Sequence, residues 1–152
     1  MPHVHELIDF TVDVYIVCEN TVLLRKHDKY DVWLGVGGHI ELDEDPNEAA
    51  LREVREEVGL DVELISDEPP YEDGTYRELI PPRFMNRHPI TDTHEHVSLV
   101  YFARSDTREL TLSETEKSEE CRWFTFEELD DPTIKERIRH YARAALTLRT
   151  AS

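Results

Sequence analysis

The residues with the clearest chemical potential are three glutamates, Glu53, Glu56 and Glu57, which follow one another at spacings of i, i+3 and i+4. On a helix these side chains are neighbours, with Cβ atoms about 5–6 Å apart, and their like charges repel. A hard divalent cation such as Mg²⁺ or Mn²⁺ removes the conflict, because it prefers carboxylate oxygens and water as ligands. The spacing therefore indicates a divalent-metal site, and a solvated acidic helix face is the simpler alternative.

The flanking residues predict a helix that runs roughly from Pro46 to Val58. Asp45 suits the N-cap, Pro46 suits the first helical position, and Glu48 can reach back as in a capping box. Gly59 suits the left-handed residue just past a helix end. A separate apolar stripe at i, i+4 and i+8 is expected to face the core: Ala50, Val54 and Val58.

The glutamates belong to a longer pattern of glycine, five residues, glutamate, seven residues, then Arg-Glu-apolar-any-Glu-Glu-any-Gly-apolar. Every specified position is filled: Gly38, Glu44, Arg52, Glu53, Val54, Glu56, Glu57, Gly59 and Leu60. This stretch resembles the Nudix box, the signature of the Nudix hydrolases. Weaker resemblance extends to Trp33 and Gly37 before the box, and to Trp123-Phe124 after it.

The resemblance implies that Glu53, Glu56 and Glu57 bind one or more divalent ions, with the backbone carbonyl of Gly38 as a further ligand. Arg52 could pair with Glu56 at i+4 and hold it in place. The implied reaction is attack of water at phosphorus in a diphosphate linkage, with metal ions that neutralise the phosphate oxygens and generate hydroxide. One of these carboxylates, or a further one, would accept the proton of the water.

Two further groups of acids could contribute to the site. Glu44, the first acid of the box, is expected to support the site by bonding to the helix or to Arg52 rather than to act in catalysis. Many family members add an acid from a distant loop. The candidates here are Glu95, Glu116 and Glu119. We prefer Glu116 for its distance before the Trp123 strand, and a solvated charge run is an equal alternative.

Several side chains outside the box are candidates for substrate binding. His39 follows the glycine pair and would lie near the metal. Arg83 and Arg87 belong to a local basic cluster, which could contact phosphate or ribose or could pair with neighbouring acids. Tyr76 could stack on a base. Trp33 could do so too, but a place in the core is the favoured interpretation.

His94 and His96 stand at i, i+2 and would point to the same face of a strand. We interpret them as substrate-phosphate contacts or as surface histidines. A zinc site would need a third and a fourth ligand, which the sequence does not define.

The predicted strands comprise residues 10–18, 21–26, 33–36, 39–42, 61–66, 96–103 and 122–125. Residues 67–93 hold most of the prolines and are interpreted as a long excursion, with residues 76–80 as a candidate strand inside it. A short helix is expected to begin at Thr125 and a terminal helix to cover roughly 133–148. This pattern favours an α/β sandwich with mixed strand pairing. The Nudix resemblance implies the same α/β/α sandwich, with the box as a loop-helix-loop, in a single domain over residues 1–152.

Composition narrows the class of protein further. The formal net charge of −17 makes nucleic acid and anionic membranes poor partners, since both need a basic patch. The chain carries 13 Arg but 4 Lys, and an acidic, Lys-poor surface suggests adaptation to high salt. The two cysteines, Cys18 and Cys121, are interpreted as buried thiols rather than a disulfide. The start of the chain lacks a signal-peptide pattern, so a cytoplasmic protein is expected.

The sequence defines the class of substrate in broad terms. Thr75 and Tyr76 stand where one family subgroup is associated with proline and another with tyrosine, and the tyrosine alone is a weak signal. We therefore expect a small nucleoside diphosphate-linked substrate, and the family allows a homodimer. Two alternatives share the fold: an isomerase of an isoprenoid diphosphate, which uses a Cys-Glu pair, and a non-catalytic nucleotide sensor. The complete set of box acids argues against both.

Overall fold

A mixed sheet with a helix on each face organises the chain. The computed structural model describes residues 7–27, 31–112 and 120–151. The helices are α1 (Pro46–Val58) and α2 (Glu136–Ala151), with a short 3-10 helix at Glu128–Asp130. The strands are β1 (Ile8–Cys18), β2 (Thr21–His27), β3 (Val32–Leu34), β4 (Val36–His39), β5 (Glu63–Leu64), β6 (Glu72–Asp73), β7 (Tyr76–Arg77), β8 (Phe84–Thr91), β9 (His94–Arg104) and β10 (Glu120–Thr125).

The central pairing of the sheet joins β1 and β9 in parallel, and the other pairings are antiparallel. Among the described residues the main sheet has the order β10-β2-β1-β9-β5, with β3 on β2, β4 on β1 and β8 on β9. Strands β6 and β7 form a separate hairpin. The predicted mixed sheet is thus confirmed.

Alternate residues of β1 point to opposite faces of the sheet, as strand geometry requires. On one face Tyr15 and Val17 pack with Ile138 and Ala142 of α2. On the other face Val12, Val14 and Ile16 pack with the apolar stripe of α1: Ala50, Val54 and Val58. Each helix therefore buries its own apolar stripe, which gives the predicted α/β/α sandwich.

Helix α1 begins and ends as the sequence predicts. The Asp45 side chain accepts a hydrogen bond from the Glu48 backbone N–H at 2.8 Å, and the Glu48 carboxylate accepts one from the Asp45 backbone N–H at 3.0 Å. Pro46 opens the helix, and Gly59 ends it with a left-handed φ of 70°. Thr125 and Glu128 also exchange reciprocal hydrogen bonds in the capping-box pattern, but the N-cap of the 3-10 helix is Glu127, which has no side-chain cap.

The strand predictions are wrong at several positions. The predicted strand at 33–36 is broken at Gly35, and β4 (Val36–His39) spans its end and the start of the next predicted strand. Residues 40–42 are not a strand, because β4 ends at His39 and the chain turns away from β1 to reach α1. Phe84–Thr91, assigned to the excursion, is an eight-residue strand. Among the described residues this strand pairs with β9 and with no other strand, so it tolerates Pro89, because an edge strand can dispense with a backbone donor. Tyr76–Arg77 is shorter than the candidate strand at 76–80.

Neither cysteine forms a disulfide: Cys18 is buried and Cys121 is partly buried, and both are thiols. Over the described residues, no helix has both the length and the apolar composition needed to cross a bilayer.

Candidate active site

Helix α1 brings the three box glutamates to one end of the β1–β4 pair, but their surroundings differ. The side chain of Glu57 is 9% exposed and that of Glu53 is 14% exposed, whereas Glu56 is 60% exposed. The predicted acidic face is therefore not simply a solvated surface. Two of its carboxylates are inserted into the structure, which requires specific partners because a buried charge must be compensated.

Glu57 is held by two donors from the sheet. The backbone N–H of Gly37 donates to its carboxylate at 2.8 Å, and Arg25 of β2 forms an ion pair with the other oxygen. Both side chains of that pair are nearly buried. The sequence did not indicate Arg25, because this residue begins the polar half of β2 (Arg25, Lys26 and His27), and nothing in that segment shows that it faces a buried acid.

Glu53 lies directly against the backbone of Gly38. A Cβ atom at position 38 would overlap the Glu53 carboxylate, so only glycine lets the strand approach the helix this closely. Burial is the largest influence on Glu53 and raises its pKa, and its contact with Arg52 works in the opposite direction. The predicted proximity of Gly38 to the acidic cluster is observed.

Arg52 links the remaining acids. It donates to both carboxylate oxygens of Glu44, at 2.9 Å from Nε and 2.6 Å from Nη2, and to the backbone carbonyl of His39 at 3.0 Å. Its Nη1 lies 3.0 Å from Glu53 and 3.1 Å from Glu56. The hydrogen bonds from Arg52 to the Glu44 carboxylate are the largest influence on the pKa of Glu44 and lower it. Glu44 therefore supports the site through Arg52, as the sequence suggests.

The donor set fits a divalent cation. Glu53, Glu56 and Glu57 offer carboxylate oxygens beside a glycine backbone, and hard cations bind carboxylate and carbonyl oxygens. Arg25 and Arg52 supply two positive charges against four carboxylates: Glu44, Glu53, Glu56 and Glu57. The net negative charge that remains is what a divalent ion would neutralise.

A cavity of about 340 Å³ adjoins this cluster, between the sheet and α2. Gly37 and Gly38 form its wall on the side of the box, and Arg25 lines it as well. Its other walls come from β1, β8, β9 and α2: Thr11, Asp13, Asn86, His88, Ser98, Arg137 and Tyr141. Small-molecule sites fall in this size range, so the cavity can hold a small molecule against the residues that contact Glu53 and Glu57.

Asp13 and Arg137 give the cavity two opposite charges that sequence reasoning missed. Burial raises the pKa of Asp13 to about 7, and its carboxylate accepts a hydrogen bond from Tyr15 at 3.3 Å. Arg137 lies near Tyr15 and His88. Within the described part of the chain, no ion pair occupies the Arg137 guanidinium. The signal for Asp13 was its place between the apolar residues of a buried strand.

Three predicted substrate contacts, His39, His94 and His96, come together at the rim of the cavity. The rings of His39 and His94 lie 5.1 Å and 5.2 Å from that of His96. Asp9 joins them, with a carboxylate oxygen 3.0 Å from Nε2 of His94 and 3.4 Å from Nε2 of His39. We refer to Asp9, His39, His94 and His96 as the histidine cluster.

Other predicted contacts lie away from the cavity. Arg83 pairs with Asp67 at 3.0 Å, and Arg87 pairs with Glu95 at 2.6 Å. Both arginines therefore pair with neighbouring acids, which is the alternative to a substrate contact given above. The partner of Arg87, Glu95, is also one of the candidate distal acids.

Tyr76 is exposed in the β6–β7 hairpin against Tyr71, and Trp33 packs in the core against Phe124. Glu116 and Glu119 lie outside the described residues. A larger cleft of about 720 Å³, lined by Arg83 and by prolines of the 66–83 segment, has no part of the box in its walls.

Comparison with known proteins supports the interpretation of the box. The family model of the NUDIX domain matches residues 9–145. A NUDIX-family hydrolase from Clostridium perfringens has 33% sequence identity and a TM-score of 0.80, with 93% of this chain and 97% of that chain covered. No curated protein sequence matches the chain.

Two further solved structures share the fold at lower identity. The dihydroneopterin triphosphate pyrophosphohydrolase of E. coli has 18% identity and a TM-score of 0.63, with coverage of 91% of this chain and 92% of that one. A MutT NUDIX hydrolase from Burkholderia pseudomallei has 21% identity and a TM-score of 0.62, with coverage of 89% and 95%.

Proposed function

The chain belongs to the Nudix hydrolase family, and from this premise we propose that it cleaves the diphosphate linkage of a nucleoside diphosphate-linked compound with the help of Mg²⁺ or Mn²⁺. Nucleoside triphosphates, dinucleoside polyphosphates and nucleotide sugars are the candidate substrates. The observation that carries the proposal is that Glu53 and Glu57 contact Gly37, Gly38 and Arg25, which line a cavity of about 340 Å³.

Glu53, Glu56 and Glu57 would hold the metal, with the Gly38 carbonyl as a further ligand. When bound, such an ion supplies neutralisation of phosphate oxygens and a lowered pKa of coordinated water. The chain itself fixes the geometry, since Gly37 and Arg25 hold Glu57 in one place. The more exposed Glu56 is the carboxylate with most freedom to adjust.

The reaction then follows from the charges that surround the linkage. A water oxygen bonds to phosphorus while the bond from phosphorus to the bridging oxygen breaks, and the phosphate group that leaves takes the electron pair. The proton released by the water passes to a carboxylate of the cluster. Arg52, which already contacts three glutamates, would keep their orientation as charge moves.

The cavity would bind the nucleoside part. Asp13 is an acceptor in the cavity wall that already binds the Tyr15 hydroxyl, and an N–H group of a base would be a further donor to its carboxylate. Arg137 lies at the same cavity and can donate to a phosphate or a carbonyl oxygen. Tyr141 adds an aromatic wall.

The isomerase alternative finds no support in this cavity. It requires a cysteine at the reacting atoms, whereas Cys18 is buried at the end of β1 and neither cysteine is among the lining residues. The two thiols agree with a reducing compartment such as the cytoplasm, which we propose as the site of action.

The test is hydrolysis of a panel of nucleoside triphosphates, dinucleoside polyphosphates, ADP-ribose and nucleotide sugars, with and without Mg²⁺ or Mn²⁺. Glu57→Gln is run beside the native protein, and Glu63→Gln serves as a control, because Glu63 is exposed on β5 outside the site. We expect metal-dependent release of phosphate-containing product that Glu57→Gln abolishes and Glu63→Gln leaves unchanged. Ligand binding by folded protein without turnover would favour the sensor instead.

A further inference from the structure

The histidine cluster contains three side chains with the geometry of a metal site. One ligand atom each from Asp9, His94 and His96 lies within 4.8 Å of the others, and all three residues are partly buried. We propose that these three residues bind a first-row transition ion, with Zn²⁺ as the leading candidate, at a site separate from the box glutamates. The sequence showed two histidines without a third ligand, and the fold supplies it from a strand 85 positions away (Asp9 to His94).

The sheet register explains why these residues meet. Asp9 of β1 and His96 of β9 are partners in the parallel pairing, and His88 of β8 is the partner of His96 on its other side. Side chains at partner positions point to the same face of a sheet. His94 lies two residues before His96 on that face. The site is therefore built at the N-terminal ends of the two central strands, with Asp9 at the second position of β1 and His94 at the first position of β9.

The ligand types separate this site from the glutamate site. Imidazole nitrogens favour Zn²⁺, Ni²⁺, Cu²⁺ and Fe²⁺, whereas carboxylate and carbonyl oxygens suit Mg²⁺ and Mn²⁺. Zinc normally takes four ligands. His39 is the candidate for the fourth position, because its Nε2 lies 3.4 Å from the Asp9 carboxylate. His39 and His96 also line the cavity, so an ion here would lie at its rim.

Close packing of imidazoles surrounds the candidate ligands, because the His88 ring lies 5.7 Å from that of His96. His88, next to the cluster, has its Nδ1 engaged by Asn86 at 2.8 Å, which fixes its ring. The competing explanation is a simple ion pair of Asp9 with protonated His94 or His39.

Calorimetric titration of the tag-free full chain with Zn²⁺ in a large excess of Mg²⁺ separates these explanations, because Mg²⁺ saturates the carboxylates. We expect one Zn²⁺ equivalent to bind, and Co²⁺ to give visible d–d bands typical of nitrogen ligands. His94→Ala and His96→Ala should each weaken binding by about 100-fold or more, since loss of outer-shell partners alone costs about 10–100-fold. Asp9→Asn, which keeps the shape of the side chain, should also weaken binding.

Three controls make the result specific. His140→Ala removes a histidine of α2 outside the cluster and should change nothing. A variant with His3 and His5 replaced by asparagine tests whether histidines near the start of the chain bind the metal instead. Glu53→Gln/Glu56→Gln/Glu57→Gln should lose hydrolysis yet keep Zn²⁺, so this proposal and the proposed function can fail separately. The proposal is overturned if folded native protein binds no Zn²⁺, or if binding survives the loss of His94 and His96.

Discussion

The carboxylate of Glu53 fills the space beside Gly38 that a side chain on that residue would need. Gly38 and Glu53 therefore depend on each other. The strand can approach the helix because residue 38 has no Cβ, and as a result the Glu53 carboxylate faces the Gly38 backbone. The adjacent Gly37 has a different role, because a Cβ there would overlap the Val12 carbonyl of the neighbouring strand.

Gly38→Ala should displace Glu53 and impair metal-dependent turnover, with little loss of stability because a carboxylate side chain can move aside. Gly37→Ala should instead disturb the β1–β4 pairing and lower the melting temperature. Activity as a function of Mg²⁺ concentration, together with thermal unfolding of both variants, measures the contrast. Equal effects of the two substitutions on activity and on stability would contradict it.

Arg25→Met should destabilise the fold by about 3–5 kcal/mol, the usual cost of leaving one partner of a buried ion pair without compensation. Glu57 would keep the Gly37 hydrogen bond but lose its cation. Chemical denaturation of Arg25→Met, Glu57→Gln and the double variant gives the coupling between them. The double variant should be more stable than the sum of the single losses implies, and simple additivity would show that the pair is not coupled.

Asp13→Asn should change the pH dependence of stability. Burial raises the pKa of folded Asp13 to about 7 from an ordinary value of 3.8, so the folded state binds the proton more tightly than the unfolded state. The contribution of Asp13 to the stability of the native protein therefore decreases as the pH rises from about 4 to about 7. A difference of one pKa unit between the folded and unfolded states corresponds to about 1.4 kcal/mol.

Asparagine does not ionise in this range. The melting temperature of Asp13→Asn should therefore rise relative to that of the native protein as the pH increases from 5 to 8. Taking the difference between the two proteins at each pH cancels the titration of the many other acids. A difference that stays constant over this range would show that Asp13 is ionised throughout.

Arg137→Ala should raise KM for the best substrate by about tenfold, the equivalent of about 1.4 kcal/mol, with kcat and the melting temperature nearly unchanged. The reason is that Arg137 faces the cavity and has no structural ion pair to lose among the described residues. Arg143→Ala is the control on the same helix, since Arg143 pairs with Asp130 away from this cavity. A fall in kcat at constant KM would place Arg137 in the chemical step.

Stability should increase with KCl concentration. At a net charge of −17 the folded chain repels itself, and the screening length falls from about 10 Å at 0.1 M salt to about 3 Å at 1 M. Unfolding curves at low and molar KCl measure the effect. Equal stability at both concentrations would remove the argument for adaptation to high salt.

Local signals were sufficient for helix α1. Asp45, Pro46, Glu48 and Gly59 act within one helix, so their roles could be predicted without knowledge of the rest of the fold. The three box glutamates could be identified from the same segment, because their spacing lies within this helix. The sequence could not show which of them are buried, because that depends on β4 and on Arg25 of β2.

The cavity depended on contacts between distant parts of the chain. Asp13, Arg137 and Asp9 acquire their surroundings from strand register and from the packing of α2, and neither is visible in local spacing. The strand Phe84–Thr91 was missed for a related reason. Pro89 argues against a strand in isolation, and pairing with β9 on one side makes this proline acceptable.

From the parallel β1–β9 pairing we also expect an order of events during folding. Thr11 and Ser98, whose hydroxyls meet at 2.7 Å on that pairing, are 87 positions apart. Long-range pairings of this kind form slowly, because a large loop must close before any contact is gained. Helix α1 and the β1–β2 hairpin can form early from local contacts, yet the cavity and the histidine cluster do not exist until β9 has joined β1. A ribosome-bound chain that ends before residue 94 would therefore carry every box glutamate and still lack the place where a nucleoside could bind.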